Sequence, residues 1–249
     1  MTSSRTIIEV LRRSEQGTTQ PFLCRADDGQ QYYVKGKGAG CGSLCSEWIA
    51  SSLARNFDLP VPPFVIAEVP AVLVEESARA DIEQLGAGLV FASQALDGAR
   101  EITWAEASGC APELKARLLL FDWWVRNEDR SLTEDRGNPN LLVTPGELGP
   151  QIWTFDFNLA FDPSFSAENF WTYHVFAEMV PAWPPGFRET IIPALQSGLD
   201  RLTTVYQTLP TEWLFLGGDD TTDPVLGEDE VRATLSRAFN QPDEFWRRG

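Results

Sequence analysis

The sequence predicts an α+β protein in two lobes. An antiparallel, twisted sheet with one helix is expected over about residues 1–95, followed by a mostly helical part over 96–249. Three observations lead there. The first part alternates short β-branched and aromatic runs with turn signals, the clearest being Asp28-Gly29. After about residue 96 the pattern turns helical, and its strongest run opens at Pro112-Glu113. Inside that helical part, two short apolar segments around a Pro-Gly turn read as a hairpin, Leu141 to Val143 and Gln151 onward.

Composition bounds the function classes. The chain has 249 residues, 43% of them hydrophobic, with nine Trp and fifteen Phe, enough to build a large core. Twenty basic against 36 acidic residues give a net charge of −16. Such a surface repels nucleic acid and anionic membrane, so neither is expected as a partner. The cysteines, Cys24, Cys41, Cys45 and Cys110, follow no disulfide framework or zinc spacing, and His174 is the only histidine. Thiols in a reducing cytoplasm are expected. The N-terminal segment lacks a sustained apolar run, and no run reaches membrane-spanning length, which points to a cytoplasmic protein.

In chain order, Arg5 to Arg13 is a strand, and Gly17-Thr18-Thr19-Gln20-Pro21 is a loop. The glycine, hydroxyls and amides of that loop suit phosphate oxygens, although such a loop also serves as an ordinary turn. Phe22 to Arg25 and Tyr32 to Lys35 flank Asp28-Gly29 as a hairpin. After the Gly-rich stretch from Gly36 to Gly42, Leu44, Trp48, Ile49, Leu53 and Phe57 mark a helix by their spacing. Glu47 lies at the edge of that stripe, where it can turn inward and pair with Lys35 at the end of its strand. The glycines do not make a dinucleotide loop, because no βαβ unit follows. Asp58 to Phe64 ends the helix through its prolines. Val65 to Val69 and Val72 to Glu75 read as strands, 76–87 as a polar helix or loop, and Gly88 to Gln94 as a strand. A short helix at Thr103 to Ala107 precedes the long one, whose all-round apolarity makes it the centre of the second lobe. Helices are expected at Ile191 to Thr208 and Glu228 to Phe239, with a rigid turn at Pro181 to Gly186.

The chemistry concentrates between Phe121 and Asp162. The long helix ends in Asn127, Glu128, Asp129 and Arg130, and the hairpin that follows brackets Asn140 and Asp156. Asp129, Asn140 and Asp156 are a carboxylate for an incoming hydroxyl and two oxygen ligands for magnesium, which prefers oxygen donors. Asp129, which directly follows the apolar helix, is the first candidate for the base. Asp135, five residues before Asn140, is the second candidate. Asn140 is preferred to Asn138 for the metal, since it immediately precedes the Leu141-Leu142-Val143 strand.

The run N-E-D-R-S-L-T-E-D-R-G-N-P-N-L-L, with F-D-F-N at 155–158, resembles the catalytic loop and metal-binding turn of the HipA-like kinases, the compact branch of the HipA-type kinases. More distantly the chain is similar to the phosphoinositide and protein kinases. The resemblance implies a two-lobed protein-kinase-like fold forming one domain, with ATP held between the lobes by the nucleotide-covering sheet and helix of 1–95 and the catalytic lobe of 96–249. It implies that Gly17, Thr18, Thr19 and Gln20 cover the phosphates and that the strand at Gly88 to Gln94 runs into an adenine-reading hinge. Lys35, held by Glu47, would face the α- and β-phosphates, Asp129 would take the hydroxyl proton, and Asn140 and Asp156 would hold Mg2+. Arg130 would hold either a phosphate or a structural carboxylate. Asn158 stands in place of a glycine and tolerates positive φ. The implied activity is an ATP- and magnesium-dependent protein serine/threonine kinase. A small-molecule kinase and a catalytically silent nucleotide-binding module are the alternatives. The resemblance further implies a protein substrate, an antitoxin or regulatory partner, and autophosphorylation at Thr18 or Thr19, residues that otherwise serve as turn caps.

Overall fold

The computed structural model describes residues 5–14, 20–132, 137–147, 149–215 and 223–247. The chain divides into two compact units, the first made of 1–48, 62–97 and 209–225, the second of 49–61, 98–208 and 226–249.

Unit one is built on strands β1 (Arg5–Arg13), β2 (Phe22–Ala26) and β3 (Gln31–Lys35). Helix α1 (Cys41–Asn56) follows, and the division between the units falls inside it after Trp48. Strand β4 (Phe64–Val69), the short helices α2 (Ala71–Glu75) and α3 (Ile82–Leu85), and β5 (Gly88–Gln94) complete the unit, with a one-turn helix at Thr211–Leu214. The hairpin at Asp28-Gly29 forms as its residues dictate. Gly29 takes φ +79°, and Asp28 Oδ1 accepts the Gln30 N–H at 3.0 Å, closing an Asx turn. Alternation then sends Phe22, Cys24, Ala26, Tyr32 and Val34 into one core.

Two expectations change here. The sheet is not wholly antiparallel: it runs β1-β2-β3-β5-β4 and closes into a barrel through a parallel pairing of Arg5 with Ala67 and Thr6 with Glu68. Closure removes the paired sheet's open edges, and it depends on residues 62 positions apart that no local pattern links. Val72 to Glu75 is helical, not a strand. Pro70 ends β4, and at φ −61° it serves as the N-cap of α2, whose Leu73 and Val74 pack on the barrel core.

Unit two is arranged around α5 (Pro112–Val125), reached through β6 (Arg100–Glu101) and α4 (Trp104–Gly109). Thr103 and Glu106 form a capping box at the start of α4. In α5 the nine buried residues include Phe121 and Trp124, both fully enclosed. Burial of side chains this large contributes about 2–3 kcal/mol each. Trp124 donates its Nε1–H to the Leu235 carbonyl at 2.8 Å, and a Cβ at Gly198 would come within 2.5 Å of its ring. The helix ends at Arg126, in the left-handed conformation at φ 56°.

Beyond α5 lie a two-residue ribbon, β7 (Ser131–Leu132) with β8 (Gly137–Asn138), and the hairpin β9 (Leu141–Thr144) with β10 (Gln151–Thr154). β6 pairs with the outer side of β9. Helix α6 (Ala167–Tyr173), helix α7 (Phe187–Tyr206) and the helices at Glu228–Asn240 and Pro242–Phe245 complete the unit. α7 starts a turn before Ile191, and Pro193 sits inside it rather than at its first turn. All four cysteines are free thiols. Among the described residues no helix is long and apolar enough to cross a membrane.

Candidate active site

The hairpin's register sets the site. Thr154 pairs with Leu141, and the Phe155 N–H donates to the Asn140 carbonyl at 3.2 Å. Asn140, one residue before β9, and Asp156, two residues after β10, therefore lie at the same end of the hairpin. Both are left-handed, at φ 46° and 60°. Asn and Asp tolerate that region better than other side chains, yet it still costs about 1 kcal/mol each, so the surroundings must hold it. Asn158, expected to carry the positive φ of the turn, does not; Asp156 carries it instead.

Arg130 holds this end in place. It is fully buried, and its Nε donates to Asp122 Oδ2 at 2.7 Å. Its Nη1 donates to the carbonyls of Pro139 at 3.3 Å, Phe155 at 3.4 Å and Asn140. The guanidinium also lies 5.2 Å from the Phe157 ring centroid. One side chain thus ties the end of α5 to both residues that frame the metal candidates, and of the two expectations for Arg130 the structural carboxylate is what it meets. Asp122 is equally buried and also accepts from Asn127 Nδ2 at 2.9 Å and from His174 Nε2 at 3.0 Å. His174 Nδ1 accepts the Phe176 N–H at 3.1 Å, which leaves the ring proton on Nε2. Burial pushes the Asp122 carboxyl pKa up, but the Arg130 charge and the His174 hydrogen bond outweigh it, and the result is below the ordinary value.

Asp129 sits beside this anchor. Both of its carboxylate oxygens accept from Asn138 Nδ2 at 3.1 Å, and Oδ2 accepts from Asn140 Nδ2 at 3.3 Å. Asn140 Nδ2 also donates to the Asp129 backbone carbonyl. Burial raises the Asp129 pKa; hydrogen bonds from Asn138 and Asn140 and the charge of Arg130 oppose this, the negative charge of Asp156 adds to it, and the net shift is upward. The structure therefore brings Asp129, Asn138, Asn140 and Asp156 together within unit two. Asp135 lies outside the described residues.

In unit one, Lys35 closes β3 and Glu47 comes from the second turn of α1. Their Nζ and Oε2 atoms are 2.6 Å apart, with residue exposures of 8% and 2%. Gly36 keeps the next residue tight, since a Cβ there would meet the Leu85 carbonyl oxygen at 2.0 Å. Gln20 is exposed, at φ 41°, and its carbonyl accepts from Arg13 Nε at 3.1 Å. Gly17, Thr18 and Thr19 lie outside the described residues.

The oxygen donors suit magnesium, which keeps several waters and binds through one or two carboxylates plus phosphate. Among the described residues no group of three or more His, Cys, Asp or Glu is placed to hold a metal alone. Sequence reasoning missed Asp122 and His174. The signal for Asp122 was a single carboxylate inside an apolar helix, which has to find a partner.

The model of one protein family, described as HipA-like kinase, matches residues 7–249. Comparison with the curated proteins gives no match. Among solved structures the chain is similar to a proinflammatory kinase of Helicobacter pylori, CtkA, at 13% identity and a TM-score of 0.46, over 98% of this chain and 93% of the other.

Proposed function

Because the chain belongs to the HipA-like kinase family, we propose that this kinase transfers the γ-phosphoryl group of ATP, with magnesium, to the hydroxyl of a protein serine or threonine. The observation that carries the reading is the convergence of Asp129, Asn140 and Asp156 at one end of the β9–β10 hairpin. Asp129 orients the acceptor hydroxyl and takes its proton, a role suited to a carboxylate that burial makes more basic. Asn140, with its Nδ2 committed to Asp129, has its amide oxygen for the metal, and Asp156 offers its carboxylate. Bound magnesium supplies charge neutralisation on the phosphates. Lys35, oriented by Glu47, binds the α- and β-phosphates. Arg130 contributes by fixing the carbonyls on either side of the metal candidates rather than by touching phosphate.

The test is transfer of labelled γ-phosphate to a mixture of casein and histone. Labelling of serine and threonine supports the reading. Labelling of a small-molecule acceptor alone would point to a small-molecule kinase, and nucleotide binding without any transfer would point to a silent module; either overturns it.

A further inference from the structure

Asn138 has no part in the scheme above, yet it makes the most direct contact with the proposed base. β7 and β8 pair Ser131 with Asn138 and Leu132 with Gly137, which returns the chain to Asp129. The ribbon requires glycine at 137, where a Cβ would lie 2.4 Å from the Ser131 carbonyl oxygen. On that ribbon Asn138 Nδ2 stands 3.1 Å from Oδ1 and 3.1 Å from Oδ2 of Asp129. One amide nitrogen therefore bridges both oxygens and sets the plane of the carboxylate.

An ionised carboxylate has about four lone-pair sites, two on each oxygen. Oδ2 takes hydrogen bonds from Asn138 and Asn140, whereas Oδ1 takes one, from Asn138. Among the described residues nothing else donates to Asp129, so the remaining acceptor site is on Oδ1. We propose that Asn138 is a positioning residue for phosphoryl transfer, clamping Asp129 so that Oδ1 accepts the hydroxyl proton. This rests on the kinase reading given above. In the step itself the hydroxyl proton passes to Oδ1 and the hydroxyl oxygen bonds to the γ-phosphorus. The bond from that phosphorus to the β–γ bridging oxygen breaks, and ADP leaves with the electron pair.

The experiment is steady-state transfer from magnesium ATP to casein by four proteins: wild type, Asn138→Ala, Asp129→Asn and the double variant. Asn138→Leu, which keeps the γ-branched shape of asparagine without its hydrogen-bonding groups, is added as a folding control judged by its thermal midpoint. Loss of the clamp should lower kcat about 10- to 100-fold while KM for ATP stays within about twofold, because the reacting groups are misplaced and the nucleotide contacts remain. In the Asp129→Asn background, Asn138→Ala should cost less than about twofold more, since the group it positions is already gone. Full kcat in Asn138→Ala and Asn138→Leu would overturn the proposal. So would a loss confined to KM, or the same penalty in both backgrounds. A wild-type protein that transfers phosphate to no acceptor would bring down the kinase reading itself, a different result from an active enzyme indifferent to Asn138.

Discussion

Replacing Arg130 with methionine removes a fully buried guanidinium and leaves the equally buried Asp122 carboxylate with Asn127 and His174. Breaking one side of such a pair costs about 3–5 kcal/mol, because the remaining charge loses its counter-ion without regaining water. The carbonyls of Pro139, Asn140 and Phe155 lose the Arg130 Nη1 donor in the same change, Asn140 keeping the Phe155 N–H. For a chain of this size the loss corresponds to a fall in thermal midpoint of roughly 6–20 °C. The assay is urea unfolding of Arg130→Met beside the double variant Arg130→Met/Asp122→Leu. The double variant should recover part of the loss, because removing both charges also removes the stranded one. A loss below about 1 kcal/mol for Arg130→Met would refute the anchoring role.

Acid sensitivity should follow Asp122. Its folded pKa lies below the ordinary value of 3.8, so its stabilising contribution is present above that value and is lost as pH falls through the lower folded pKa. Asp122→Asn should flatten the acid side of a stability-against-pH curve, and an unchanged slope would contradict this. Gly36→Ala should destabilise by about 1–3 kcal/mol, since its Cβ meets backbone atoms of Leu85 at 2.0, 2.7 and 2.8 Å and no rotamer can relieve them; a variant with the wild-type midpoint refutes it. Lys35→Met should abolish binding of a fluorescent ATP analogue, and retained affinity would remove Lys35 from the phosphate role. Thr103→Ala should cost about 1 kcal/mol through loss of the capping box at α4, read by the same urea titration.

Local signals made much of this fold legible. Asp28-Gly29 marked its hairpin, the apolar stripe marked α1, and the apolar run from Leu118 to Val125, broken only by Asp122, marked the buried α5. The β9–β10 hairpin was readable for the same reason, and with it the pairing of Asn140 and Asp156 at one end. Barrel closure was not readable, since the pairing of Arg5 with Ala67 is a distant contact between two unremarkable strand ends. α2 was misread because three consecutive apolar residues, Val72 to Val74, satisfy either period and only Pro70 separates the two. In the site, residue type and spacing pointed to Asp129, Asn140 and Asp156. The Asn138 clamp and the Asp122–Arg130–His174 cluster depend on three-dimensional returns of the chain that spacing does not encode.

Label transfer from γ-phosphate-labelled ATP, run with magnesium, with a chelator and with Asp156→Ala, tests the proposed chemistry most directly. The wild-type protein should label serine or threonine in magnesium and lose the activity in chelator. Asp156→Ala should lose about a thousandfold or more while its thermal midpoint stays within a few degrees, because a ligand is removed and no core. Wild-type turnover by Asp156→Ala, or undiminished labelling in chelator, would contradict a magnesium site at the end of the β9–β10 hairpin.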